Sequence, residues 1–280
     1  MKSFNNKERN KSPEKTDHLF RVPPAPLSNF IAAIWASSAK ESLKEIRVIP
    51  DGCGILLFNF SKPVLINTEN NHYQLTKTLF SGISSRYHDL TCTENHEQAG
   101  VIFKPFGAFQ LMDIPMSAFY NAGIETDLIA KNKFSEIFEK MQTAAAPAGR
   151  LLLLEKWLLL HLSNKTLAPG INYLTSLLQN DDEITAGQLA IKAGFSQQHT
   201  ARLFNKYIGA TPKTMQRIFR FQNALTLMNH GTDKSLTDIC YSANYFDQAH
   251  FIHECRSLTG YTPKELPLKL FPEQKRIALL

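Results

Sequence analysis

Cysteine is scarce in this sequence, and the four present, Cys53, Cys92, Cys240 and Cys255, stand far apart with no paired CxxC spacing. That pattern excludes a disulfide framework and a cysteine-rich zinc site, and it fits a reducing compartment. Long apolar runs are missing too. The richest stretch, residues 151–162, is broken by Glu155 and Lys156 and falls short of the roughly 20 residues that span a bilayer. Residues 1–17 are polar and lack the apolar segment of a signal peptide, so a flexible tail on a soluble, cytoplasmic chain is expected. Catalytic signatures are absent as well. No GxSxG occurs, and His72, His88, His96, Glu94 and Glu97 form no HxH set or related ligand spacing. An enzyme is not expected, nor a metal or other cofactor. The most telling absence is of negative charge: residues 184–232 contain no Asp or Glu, while Lys192, Arg202, Lys206, Lys213, Arg217 and Arg220 all fall inside that window. In a chain of net charge +6, such a concentrated positive field suits an anionic polymer, although a solvated basic face gives the same pattern.

What is there amounts to two domains: 280 residues with 43% hydrophobic content are ample for two packed cores. The first half reads as short strands at residues 46–50, 55–60, 64–67, 78–83 and 99–103, bounded by Gly, Pro, Asn and Ser, with Asp51-Gly52 as a turn. Strands so closely spaced predict a small β-barrel or sandwich. After Pro105 the texture turns helical, with Phe134, Ile137, Phe138 and Met141 at spacings of three and four. Residues 147–162 carry leucines on more than one helix face, which places that helix in the core between domains or at a face between two copies of the chain. The polar break at 164–170 divides a regulatory domain, 18–165, from a second domain, 169–267, with a tail at 268–280. The fold class is therefore multidomain α+β, ending in an all-α module.

Helix signals in that module come in two sets. Ile171, Leu174, Leu177 and Leu178 first form one apolar face. Thr185 with Gln188 then makes a capping box, Gly194 stops the helix, Ser196 caps the next, and Gly209 ends it. Thr211-Pro212 opens a helix of about 18 residues closed by Gly231, with Phe221, Ala224, Leu227 and Met228 on its buried side. Ser235 with Asp238, then Asn244 in the place of Gly194, then Gly260, repeat the scheme. Ala193, Phe195 and Gln198 match Ala243, Tyr245 and Gln248 at an offset of 50; Gly209 and Thr211-Pro-Lys213 match Gly260 and Thr262-Pro-Lys264 at 51. Two helix-turn-helix units joined by a helix of about 18 residues lie roughly 27 Å apart, near one turn of DNA.

On Leu189-Ala-Ile-Lys-Ala-Gly-Phe-Ser196, Arg202-Leu-Phe204, Asp247-Gln-Ala-His-Phe251 and Leu258-Thr-Gly-Tyr-Thr-Pro263, residues 171–266 resemble the DNA-binding module of the AraC/XylS family of bacterial transcription regulators. The resemblance implies a seven-helix module on double-stranded promoter DNA. Carried over by position, Gln197, Gln198, Ala201 and Arg202 would reach base edges, with Asn205 and Lys206 nearer phosphates. Gln248, Ala249, His250 and His253 hold the corresponding places in the second unit. Arg pairs bidentately with guanine and Gln with adenine. Departures from the family pattern at Asn244, His253 and Cys255 imply weaker or shape-based reading by the second unit, or DNA binding conditional on an effector. His250 and His253 also read as ordinary surface histidines, and Cys255 as a buried small hydrophobe. A related DNA-alkylation repair protein would need more reactive cysteines than Cys53 and Cys92 offer. The first half loosely resembles a sensor-like domain, through residues 47–53 and 100–107, and implies an effector, a homodimer or a contact with RNA polymerase. A ligand among Phe58, Phe60, Phe80 and Phe103 competes there with plain core packing.

Overall fold

A computed structural model describes residues 17–39, 44–69, 72–92, 95–130, 132–162, 164–181, 183–229 and 235–266. The expectations for residues 1–16, Glu94, Gly231 and the tail at 268–280 lie outside the described residues. Asp17, assigned to the tail from sequence, opens the first strand. The first half contributes the strands β1 (Asp17–Arg21), β2 (Ile31–Ala39), β3 (Lys44–Val48), β4 (Gly54–Asn59) and β5 (Val64–Asn67). After them come β6 (His72–Leu75), β7 (Thr78–Ser81), β8 (His88–Cys92), β9 (His96–Phe103) and β10 (Gly123–Glu125). Helices α1 (Ala108–Met112), α2 (Ser135–Gln142) and α3 (Pro147–Leu162) complete this half.

The strands form a six-stranded antiparallel sheet, ordered β1-β2-β9-β4-β7-β10, and a four-stranded one, ordered β3-β8-β5-β6. Neither sheet closes on itself, so of the two predicted forms the sandwich-like one is found rather than a barrel. Strand β4 reads Gly54-Ile-Leu-Leu-Phe-Asn59 without polar alternation because both of its faces are covered. Leu56 and Phe58 join a core beneath α1, α2 and α3, while Ile55 and Leu57 join one with Val64, Ile66, Leu75 and Leu90 from the smaller sheet.

Phe58, Phe80 and Phe103 are fully buried in the first of these cores, with the Phe80 ring edge-on to Phe119 at 4.8 Å. Phe60 stacks on Phe138 at 5.3 Å under the Arg150 guanidinium. These aromatics are packed into the core. Helix α2 buries Ile137, Phe138 and Met141, the predicted positions. Helix α3 buries Leu151, Leu154, Trp157, Leu158 and Leu162, yet Leu152 and Leu160 stay 52% and 81% exposed. One face is therefore core and another lies open.

The second half is helical: α4 (Ile171–Asn180), α5 (Ala186–Lys192), α6 (Gln197–Leu203), α7 (Pro212–Asn229), α8 (Leu236–Ser242) and α9 (Gln248–Thr259). These are six α-helices among the described residues, followed by a turn at 262–266 in which the Thr262 and Glu265 side chains cap each other's backbone N–H groups. None is long and apolar enough to cross a membrane. The two halves share their cores. Ile83 and Phe106 pack with Ile171, Leu189, Phe204 and Ile218, and Ile49 packs with Phe221, Ile239, Phe251 and Leu258.

Candidate nucleic-acid interface

Each helix-turn-helix unit is built from local signals. At the start of α5, Thr185 Oγ1 accepts from the Gln188 backbone N–H, while Gln188 Oε1 accepts from that of Thr185, closing the capping box. The turn passes through Gly194 at φ +70, and Ser196 Oγ then caps α6 by accepting from the His199 N–H at 3.1 Å. Helix α6 continues as a wider π turn from Phe204 to Ile208 and stops at Gly209, φ +87. Only glycine fits there. Besides the left-handed backbone, a Cβ would stand 2.4 Å from the Met116 carbonyl oxygen of the first half.

The second unit repeats the design with changed residues. Ser235 and Asp238 form its capping box, Asn244 takes the left-handed turn at φ 53, and Asp247 caps α9 by accepting from the His250 N–H at 2.7 Å. Between the units, α7 has the predicted length of 18 residues. It buries Met215, Ile218, Phe221, Ala224 and Leu225; Leu227 and Met228, predicted on this side, are half-buried.

The predicted contact residues fall on the outside of both units. In and after α6, Gln197, Gln198, Ala201, Arg202, Asn205 and Lys206 are exposed, while Thr200, Phe204 and Ile208 are buried. On α9, Gln248, Ala249, His250 and His253 are exposed, while Phe251, Cys255 and Leu258 are buried. Cys255 is fully enclosed and burial pushes its thiol up to about 11, which suits a core residue and not a reactive one. The Gln248 amide donates to Thr237 Oγ1 of α8, tying the two helices of its unit together.

Two of the ten residues meet the first half. Asn205 Oδ1 accepts from Ser117 Oγ at 3.1 Å, and the Lys206 ammonium lies 5.2 Å from the Phe109 ring centroid. Tyr207 packs edge-on against the same ring at 4.6 Å. The basic window also divides. Arg217 pairs with Glu254 at 2.6 Å and donates to Ser257, fastening α7 to α9, and Arg220 lies over the Tyr245 ring. Lys192 pairs with Asp181 at 3.3 Å, whereas Arg202 and Lys213 point outward and exposed.

The sequence reading passed over Phe246, which is 85% exposed just before the Asp247 cap. The signal was available: at the repeat offset of 50, Phe246 stands where the first unit has Ser196, its helix cap. The cap therefore moves one residue on, and an aromatic ring is left at the entrance of α9.

The Helix-turn-helix domain family matches residues 189–267, across both units. Those residues form an AraC-type helix-turn-helix domain. That domain makes the chain a DNA-binding transcription regulator. The Domain of unknown function (DUF6597) matches residues 20–125 of the regulator, over the strands. Among solved structures, ToxT from Vibrio cholerae is similar at 10% identity, over 85% of this chain and 98% of its own, with a TM-score of 0.48. A form of ToxT bound to an unsaturated fatty acid covers 92% and 97% at 10% identity, with a TM-score of 0.47. The AraC-like transcriptional activator CuxR covers 71% and 84% at 12% identity, with a TM-score of 0.28. No curated protein matches the regulator.

Proposed function

We propose that the regulator recognises promoter DNA in the cytoplasm by laying α6 and α9 of one chain into successive major-groove faces, and that its first half sets the affinity in response to a small-molecule effector. It acts as a regulator and not as an enzyme. The observation that carries this reading is the division on both helices between ten outward residues and the buried positions interleaved with them. Gln197, Gln198, Ala201 and Arg202 read bases in the first unit; Gln248, Ala249, His250 and His253 do so in the second. Asn205 and Lys206 lie where phosphates pass, beside the Ser117 and Phe109 contacts, which supports control by the first half. The exposed Leu152 and Leu160 on α3 leave a face for a second copy or for RNA polymerase.

The test starts from a site selected out of a random DNA pool with the full chain. Arg202→Ala is then expected to weaken binding by about 1–3 kcal/mol and to relax preference at one base pair. Unchanged affinity and unchanged preference in a mobility-shift titration would remove Arg202 from the readout.

A further inference from the structure

A cavity of about 460 Å³ lies between the two halves. Its walls come from the loop after β3, the end of β9, α4 and the middle of α7, so both halves must meet for it to exist. The volume falls in the range of small-molecule sites. Ile31, Ile102, Phe106 and Phe219 supply apolar wall, and Asp51 and Gln222 supply polar groups. Gln222 spans the seam. Its Nε2 donates to the Pro50 carbonyl at 2.6 Å, while its Oε1, shielded from solvent, has no hydrogen-bond partner.

Asp51 is the second acceptor. One carboxylate oxygen accepts from the Cys53 N–H at 2.9 Å, and no ion pair to Asp51 is present among the described residues. Burial pushes its pKa up to about 6, against the effect of its backbone hydrogen bonds. Asp51, half-buried, and Gln222 Oε1, an acceptor without a donor, belong to residues that line one cavity, and their spare acceptor capacity suits a ligand group rich in N–H donors.

We infer that this interdomain cavity is the effector site of the regulator and takes a small amine, whose ammonium group is held by the Asp51 carboxylate and Gln222 Oε1. The inference rests on the effector-controlled reading above and names where the effector sits and what it carries. An ammonium group offers up to three donors, enough for both acceptors, and carries a charge opposite to that of the Asp51 carboxylate. Lys104 and Asn172 on the same lining leave donors for an acidic or neutral second group on the ligand. Bound there, an amine would touch Phe219 and Gln222 of α7, the helix that joins the two recognition helices.

The experiment is calorimetric titration of the full chain with phenethylamine, leucine and 4-methylpentanoic acid, which present an amine alone, an amine with an acid, and an acid alone. At least one amine is expected to bind, with the acid failing, and Asp51→Asn is expected to weaken that amine tenfold or more while the variant unfolds at the same or a higher temperature. Gln222→Met is expected to weaken it as well. Absence of binding by both amines, preference for the plain acid, or equal amine binding by Asp51→Asn would overturn the inference. DNA binding by the wild-type chain, scored separately, tests the regulator reading: a chain that discriminates DNA but binds no amine keeps the regulator and loses this site.

Discussion

Arg47 and Thr259 lie 212 residues apart in sequence, and the guanidinium of the first donates to the backbone carbonyl of the second at 3.2 Å. Thr259 is the last residue of α9, so a strand of the first half holds the end of that helix. The same guanidinium grips Asp89 with two hydrogen bonds, 2.7 and 2.8 Å, and lies between the Tyr87 and Tyr261 rings at 4.1 and 4.5 Å. Each contact uses the flat fork of arginine. Arg47→Lys, which keeps the charge and loses the fork, is expected to cost about 1–3 kcal/mol. Urea denaturation gives the loss, and hydrogen exchange should localise it to the amides at 259–261. Wild-type protection there would mean that this clamp does not hold α9.

The left-handed turns of the two units make a second test. Asn244 sits at φ 53, where alanine is strained by about 1–2 kcal/mol and glycine is not. Asn244→Ala should lower stability by about that amount, and Asn244→Gly should leave it within about 0.5 kcal/mol. If both variants unfold at the same urea concentration, the turn is not what selects the residue.

These turns, with the caps around them, were the most legible part of the molecule. Thr185 with Gln188, Ser235 with Asp238, and Gly209 act within a few residues, so sequence spacing alone locates them. Strand β2 was not legible. Its Ile-Ala-Ala-Ile-Trp-Ala-Ser-Ser-Ala composition offers little strand propensity, and it is held by pairing with β9, where a Cβ on Gly100 would meet the Trp35 indole at 2.7 Å. Polar β8 was equally silent. At the interface, the outward positions of α6 and α9 followed from helix periodicity, whereas the contacts of Asn205 and Lys206 with Ser117 and Phe109 join segments 88 to 97 residues apart and leave no local trace.

Acid should weaken the fold through His88. Burial lowers its pKa to about 4, with the neighbouring Asp89 carboxylate, itself gripped by Arg47, opposing that shift. A group whose folded pKa is depressed favours the folded state above its unfolded value, about 6.5, and loses that contribution as pH falls toward 4. Between pH 7.5 and 5 the loss is expected to reach about 2 kcal/mol. Comparing wild type with His88→Phe across that range checks it; parallel pH profiles for the two proteins would clear His88.

Thiol chemistry offers a fourth check. Cys92, Cys240 and Cys255 are buried, and only Cys53 is partly exposed. Burial raises the Cys53 thiol far above its ordinary range, so reaction at neutral pH should be slow but confined to one site. Brief maleimide treatment of the native chain should add a single label, mapped by mass spectrometry to Cys53. The other three should react only in denaturant. Early labelling of Cys255 would contradict its place on the buried face of α9.

Ile49, Ile83 and Phe106 carry a lesson for anyone building hybrids from this regulator. Cutting at the loop after α3 would strip two hydrophobic clusters of these side chains and leave sticky surfaces on the severed piece. A transplanted receptor portion would have to bring equivalent residues at the same three places, so the practical unit of exchange is larger than the readable motif.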